Sequence, residues 1–306
     1  MREPLQVRVR VPATSANLGP AFDCAGLALT RYDVLEFGVL DEGQLKVVMT
    51  GEGATTLPTG KEHLVVRAFD AACAELGWRP PGLHVRAENA IPQGRGMGSS
   101  AAAVVAGVLG AWALCPDVEE IDRAAVLRLT TELEGHPDNV APCLLGGATL
   151  SWMADAGARA VRLDVHPELR PFVLVPGQTL STHLARGLLP ELVPHADAAH
   201  AAGRAALLVH ALTRDPSLLH DATEDRLHQR QREAGMPATV ALVDRLRAEG
   251  LAAVVSGAGP SILVLGDAAA GAMVRALTPA DWTVIPSEVD VHGASVERGT
   301  AQVSSR

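Results

Sequence analysis

The segment Pro92-Gln93-Gly94-Arg95-Gly96-Met97-Gly98-Ser99-Ser100-Ala101 sets three glycines and two hydroxyls ahead of a long apolar run. Glycines let a backbone approach a ligand closely. A helix beginning just behind them turns unpaired N–H groups and a positive dipole end toward the same point, so the chemistry on offer is anion binding. No lysine follows the last glycine, which excludes a Walker A loop, and the third glycine comes too soon for a dinucleotide fingerprint. Alone, such a loop is as consistent with a flexible lead into a core helix; the serine pair and the apolar run favour phosphate. The chain has only Lys46 and Lys61, both remote from this loop in sequence. A triphosphate here therefore needs backbone N–H groups, arginine and a divalent metal. Mg²⁺ suits, being held by one or two protein oxygens together with phosphate oxygens and water. The candidate donors are a hydroxyl of Ser99 or Ser100 and the carboxylate of Glu134, which taken alone reads as a solvated helix residue.

Positioning that loop falls to the elements around it. Val7, Val9 and Val11 alternate with Arg8 and Arg10, the pattern of a half-buried strand. Leu35 to Val39 and Leu45 to Met49 read as two strands, and the turn Asp41-Glu42-Gly43 between them predicts a hairpin. A helix is expected from His63 to Leu76, ended by Gly77, followed by a strand at Leu83 and Val85 and a loop from Asn89 to Gly98. The serine pair is placed to cap the next helix, which is apolar all round and should be buried. A further helix is expected from Val118 to Glu134, stopping at Gly135, with Asp138 capping a short one through Leu145. Ala154 to Ala158 is the candidate domain joint. Beyond it, strands at Val161–Val165 and Phe172–Val175 and helices at Ala198–Leu212 and Pro237–Glu249 lead to a strand-turn-strand from Ala253 to Leu265. Hairpins mixed with helices indicate α+β layers.

The 306 residues carry 26 basic against 35 acidic side chains, a net charge of −9, which argues against a basic face for nucleic acid. Four Trp, four Phe and one Tyr leave little to stack bases on. The longest apolar stretch, Ala101 to Cys115, is interrupted by Gly107 and Gly110 and falls short of the roughly 18–20 residues of a membrane span. No apolar leader is evident at the N-terminus. Cys24, Cys73, Cys115 and Cys143 are scattered, as free cytosolic thiols would be.

Three stretches, in order, resemble the motifs of the GHMP small-molecule kinases: Pro12-Ala13-Thr14-Ser15-Ala16-Asn17-Leu18-Gly19-Pro20-Ala21-Phe22-Asp23, the loop Gly96 to Ala102, and Ser256-Gly257-Ala258-Gly259-Pro260-Ser261. With Glu134-Gly135-His136-Pro137-Asp138-Asn139-Val140-Ala141-Pro142, the first is more similar to the branch acting on homoserine than to those acting on mevalonate or galactose. The resemblance spans nearly the whole chain. It implies a phosphotransferase with an alcohol acceptor, in which ATP and L-homoserine give O-phospho-L-homoserine and ADP on the route to threonine. A mevalonate or sugar acceptor is the alternative, as is a ligand sensor of the same fold that no longer turns over. The implied fold has two α+β layers. An N-terminal ribosomal-S5-domain-2-like, ATP-binding domain over 1–153 contains a left-handed βαβ unit, and a ferredoxin-like domain covers 160–306. A cytoplasmic location and a small-molecule partner go with it, and any assembly is expected to be a homodimer.

Residue by residue, the resemblance puts the ATP phosphates on Pro92, Gln93, Gly94, Arg95, Gly96, Met97, Gly98, Ser99, Ser100, Ala101 and Ala102. Mg²⁺ falls to Ser100, or Ser99, with Glu134. Asn17, Asp23, Asp138, Asn139, Thr182, Arg186, Arg232 and Gly259 are the implied substrate residues, with Arg186 and Arg232 clamping the carboxylate. Guanidinium forks suit that task. Asp138 or Asp23 can accept from the ammonium, while Asn17 and Asn139 can orient the hydroxyl. The implied catalytic set is Asn139, Asp138, His136 and Arg186. Whether Asp138 takes the hydroxyl proton, or positioning and charge neutralisation suffice, stays open. Three departures stand out: Met97 for a usual Leu, His63 for an Asn common near the adenine pocket, and Arg230-Gln231 for a common Pro-Tyr before Arg232.

Overall fold

The computed structural model describes residues 5–300. In chain order they form β1 (Leu5–Ala16), β2 (Ala25–Leu40), β3 (Leu45–Gly51), α1 (Leu64–Leu76), β4 (Gly82–Asn89), α2 (Ser99–Leu114), α3 (Arg123–Glu134), α4 (Pro137–Leu145), β5 (Ala148–Ala154) and β6 (Gly157–Leu163). Then come β7 (Arg170–Pro176), α5 (Thr182–Gly187), α6 (His195–Thr213), α7 (Leu219–Ala222), α8 (Pro237–Ala248), β8 (Ala252–Val255), β9 (Ile262–Gly266), α9 (Ala270–Leu277), β10 (Trp282–Pro286) and β11 (Ser295–Thr300). A seven-stranded sheet runs β11-β1-β2-β4-β3, with β5 also on β2 and β6 on β5. A four-stranded antiparallel sheet runs β10-β7-β9-β8. Counted along that half, its strands lie 4-1-3-2, the order of the expected ferredoxin-like unit.

The first layer is built around α2. With no polar face to expose, the helix is buried along nearly its whole length, packed beside β1 and α1. Gly107 allows the approach, since a Cβ there would sit 2.4 Å from the Val65 carbonyl oxygen of α1. Val7, Val9 and Val11 of β1 join Phe37, Val85 and the apolar face of α1 in the same core. The second layer packs α8 on β8 and β9 through Val240, Val243 and Leu246.

Several expectations give way to longer-range pairing. The hairpin at Asp41 to Gly43 does not form, because β4 lies between β2 and β3, antiparallel to the first and parallel to the second. The turn's polar groups bind the entry to β4 instead: Gly43 N–H donates to Pro81 O at 2.9 Å and Leu83 N–H to Gln44 O at 2.8 Å. The serine pair does not cap α2. Gly98 is its N-cap, at φ 70°, and both serines lie inside the first turn. α3 starts at Arg123 and not near Val118, because Asp122 accepts from the N–H groups of Ala124 and Ala125. Asp138 caps nothing; Pro137 opens α4 and Asp138 follows it in the first turn. The proposed joint at Ala154 to Ala158 is the tight turn between β5 and β6. Gly157–Leu163 stays with the first sheet and β11 returns to it, so sheet membership cuts across a division into 1–153 and 160–306. Among the described residues no helix is long and apolar enough to cross a membrane, and the four cysteines are unpaired.

Candidate functional site

A cleft of about 140 Å³ opens where the three motifs meet. Its walls are Asn17 and Asp23 from the β1–β2 loop, the glycine loop before α2, Glu134 to Asn139 at the α3–α4 junction, Leu180 to Arg186 around α5, Arg232, and Gly257 to Gly259 between β8 and β9. Backbone geometry holds the motifs together. Ser256 Oγ donates to Gly96 O at 2.6 Å and contacts Ser15 Oγ at 2.8 Å, and Gly257 N–H donates to Ala16 O at 3.1 Å. Gly96 has a φ of 70°, and a Cβ on it would lie 2.1 Å from Ser256 O. On Gly98 it would lie 1.9 Å from Thr14 Oγ1. Only glycine fits either place.

At the head of α2, Ser100 Oγ donates to Glu134 Oε2 at 2.8 Å. Burial raises the Glu134 carboxyl above its ordinary value, against the hydrogen bond from Ser100. A cation would restore its charge, and both donors are hard oxygens, so the residues present fit Mg²⁺. The Arg95 guanidinium is tied to the carbonyls of Gln93, Pro176 and Gly177, bracing the loop.

The α3–α4 junction carries a linked set. His136 Nδ1 lies 2.6 Å from Asp138 Oδ1, which also accepts from Asn139 Nδ2 at 3.3 Å, and Thr14 Oγ1 donates to Asn139 Oδ1 at 2.8 Å. Burial alone lowers the His136 imidazole, but the hydrogen bond and charge of Asp138 outweigh it and leave the pKa raised. Across the cleft Arg186 grips Asp23 with both ends of its fork, at 3.0 and 2.7 Å. That bond raises the guanidinium pKa further. Asn17 is held at φ 71°, its amide donating to Gly257 O and accepting from the Asp23 N–H, both at 2.9 Å. Arg232 is 1% exposed. Its Nε donates to Ala185 O at 3.1 Å, and burial, then the neighbouring Arg186, lower its pKa.

Most of the expected residues converge on this cleft. Ala101 and Ala102 do not line it; they are fully buried one turn into α2. Gln93 turns into an adjoining, largely apolar cavity with Leu57, Pro58, Asn89 and His63, which shares Gly94, Ser99 and Ser100 with the cleft. His63 is buried there, with Nδ1 lacking a hydrogen-bond partner among the described residues and Nε2 3.1 Å from Met49 Sδ. The departure at Arg230-Gln231 leaves its segment anchored: Arg230 Nη2 donates to both carboxylate oxygens of Asp244, at 2.7 and 2.9 Å, and Gln231 donates to Arg226 O at 2.8 Å. Residue-by-residue reading missed Thr14, Phe22, Ser256, Gly257 and His228 as parts of the site. All but His228 lie within the quoted stretches, but the roles of all five depend on partners more than 100 positions away.

A family model described as the N-terminal domain of GHMP kinases matches residues 63–147, and one described as the GHMP kinases C-terminal domain matches 204–282. The homoserine kinase of Streptomyces coelicolor is 54% identical over 291 residues, covering 95% of this chain and 94% of its own. That of Clavibacter michiganensis is 51% identical over 297 residues, covering 95% and 94%. Among solved structures, a homoserine kinase from Cytophaga hutchinsonii superposes with a TM-score of 0.84 at 26% identity, covering 95% of this chain and 97% of that one. A Staphylococcus aureus mevalonate diphosphate decarboxylase shares the fold, with a TM-score of 0.70 at 16% identity.

Proposed function

The chain belongs to the GHMP kinases, and we propose that within them it transfers the γ-phosphoryl group of ATP to the hydroxyl of L-homoserine. The observation that carries the choice of acceptor is the Asp23–Arg186 pair facing Arg232 across one cleft. An α-amino acid brings an ammonium and a carboxylate, which can exchange into that pair with each charge met by its opposite. Mevalonate has no ammonium for Asp23, and a sugar has neither group.

The triphosphate lies along the glycine loop, at the amide-rich start of α2, and the adjoining apolar cavity takes the base. Ser100 and Glu134 hold Mg²⁺, which when bound neutralises phosphate charge. Arg186 and Arg232 take the substrate carboxylate, Asp23 the ammonium, and Asn139 orients the hydroxyl. Asp138 already accepts from His136 and Asn139 through one oxygen, which suits it to fixing this junction. Transfer then rests on positioning and charge neutralisation, which a loose phosphoryl transition state permits. Four free thiols accord with a cytoplasmic location.

A coupled ADP-release assay with homoserine, mevalonate and galactose tests this reading. Turnover is expected with homoserine alone. A folded sample that binds ATP yet ignores homoserine would overturn it.

A further inference from the structure

Arg232 is the largest fully buried side chain among the described residues. A buried guanidinium is costly unless its donors are met, so whatever meets them fixes where the remaining donor points. Nε is taken by Ala185 O, and Nη1 lies 3.1 Å from His228 Nδ1 and 3.4 Å from Gly257 O. Nη2 makes no hydrogen bond among the described residues, and Arg232 lines the cleft.

His228 is fully buried beside it. A guanidinium nitrogen only donates, so Nδ1 must be the acceptor and the ring proton must sit on Nε2. Nε2 lies 2.8 Å from Gly19 O, which can only accept. The two partners select one neutral tautomer. Burial lowers the imidazole pKa, in keeping with that form. Asp225 approaches Nε2 at 3.8 Å, but its oxygens already accept from the backbone N–H groups of Leu227, His228 and Gln229. Phe22 closes the arrangement: its ring lies 5.0 Å from that of His228, with the Arg232 and Arg186 guanidinium carbons at 5.5 and 5.7 Å. His228 therefore ties the loop that carries Asp23 to the arginine facing it.

We propose that His228 is a positioning residue: as the Nε2–H tautomer it aims Arg232 at the substrate carboxylate and fixes the Gly19–Asp23 loop through Gly19 O. This rests on Arg232 being the carboxylate-binding arginine.

The test uses two neutral replacements that each keep one half of the ring's function. His228→Gln keeps a donor near Nε2 and loses the acceptor for Arg232; His228→Asn keeps an acceptor near Nδ1. In His228→Gln the KM for homoserine is expected to rise about tenfold, the cost of a misaligned charge-assisted bond, with kcat and the KM for ATP unchanged. His228→Asn should recover the part of the loss that depends on the carboxylate, leaving only the cost of the donor to Gly19 O. With 3-aminopropan-1-ol, which has the amine and hydroxyl but no carboxylate, the Gln variant should match the parent. An equal loss with both acceptors, or an ATP KM that moves in step, would overturn the proposal in favour of a purely structural role. Arg232→Ala separates the two readings. If it leaves the homoserine KM alone, the carboxylate assignment fails; if it raises KM and His228→Gln does not, only the His228 inference fails. On the parent enzyme, ¹⁵N NMR of histidine-labelled protein should show one neutral Nε2–H ring unchanged from about pH 6 to about pH 8. A titrating or Nδ1–H ring at this position would refute the proposal even if neither variant folds.

Discussion

Glu134 shows how much a single carboxylate can be asked to do. Its one hydrogen bond among the described residues comes from Ser100, and burial holds its proton affinity up. A carboxylate placed so is poor at stabilising the fold and well suited to receiving a cation. Glu134→Gln keeps an oxygen for the Ser100 hydroxyl and removes the charge, so the thermal midpoint should hold or rise slightly. Activity should not. We expect kcat to fall about 100-fold, with a higher Mg²⁺ concentration needed for half-maximal rate. A Mg²⁺ titration of initial rates, run beside a melting curve, checks both; an unchanged kcat would move the metal donors elsewhere. Ser100 and Glu134 were legible because each sits beside a recognisable helix boundary. The Asp23–Arg186 fork was not, since nothing in either residue's neighbourhood announces a partner 163 positions away. Asn17 shows the opposite failure: its spacing was visible, but its amide turns out to brace Gly257 and Asp23, a task that only the folded loop defines.

At the scale of elements, local rules succeeded where local forces decide. The strand at Val7 to Val11, the helix ending at Gly77 and the buried run of α2 follow from periodicity and a terminal glycine, and all three are present. The β2–β3 hairpin failed because β4, arriving later in the chain, competes for the same edge and brings its own apolar face. The glycine loop is likewise set by a distant neighbour, the Ser256 turn. Two glycines with almost equal φ separate the local cost from the tertiary one. Gly77, at φ 62°, has open space where a Cβ would go, whereas Gly96, at φ 70°, has the Ser256 carbonyl there. Gly77→Ala should cost only the left-handed penalty, about 1 kcal/mol, and leave catalysis intact. Gly96→Ala adds a clash with backbone that cannot swing away, so a loss of about 3 kcal/mol or more is expected, together with a raised KM for ATP. Urea unfolding of the two variants decides it; equal losses would mean that the loop gives way at no cost.

Across the whole molecule, the first and last described strands close one sheet, with β11 on the outer edge of β1, and the second layer hands its glycine turn back to the first. That closure was invisible to a reading that moved along the chain, because Ser295 to Thr300 meets its partners only through the complete fold. One buried charge reports on the integrity of this frame. Asp33 in β2 accepts from the N–H groups of Ala90 and Ile91, at 2.7 and 2.9 Å, and so anchors the entry to the glycine loop. Burial outweighs those bonds and lifts its pKa to about 6. Unfolded, the same group titrates near about 3.9. Between these values the folded state holds the extra proton, so the contribution of Asp33 is full below about pH 4 and is lost as pH rises through about 6. Asn at this position keeps one oxygen for both N–H groups and never ionises. Asp33→Asn should therefore match the parent near about pH 4 and exceed it above about pH 6, by on the order of 3 kcal/mol. Urea midpoints taken across that range give the comparison directly. A gap between the two proteins that stays constant with pH would mean that Asp33 has the same pKa folded and unfolded, and that the loop's anchor is held by its two hydrogen bonds and not weakened by burial of the charge.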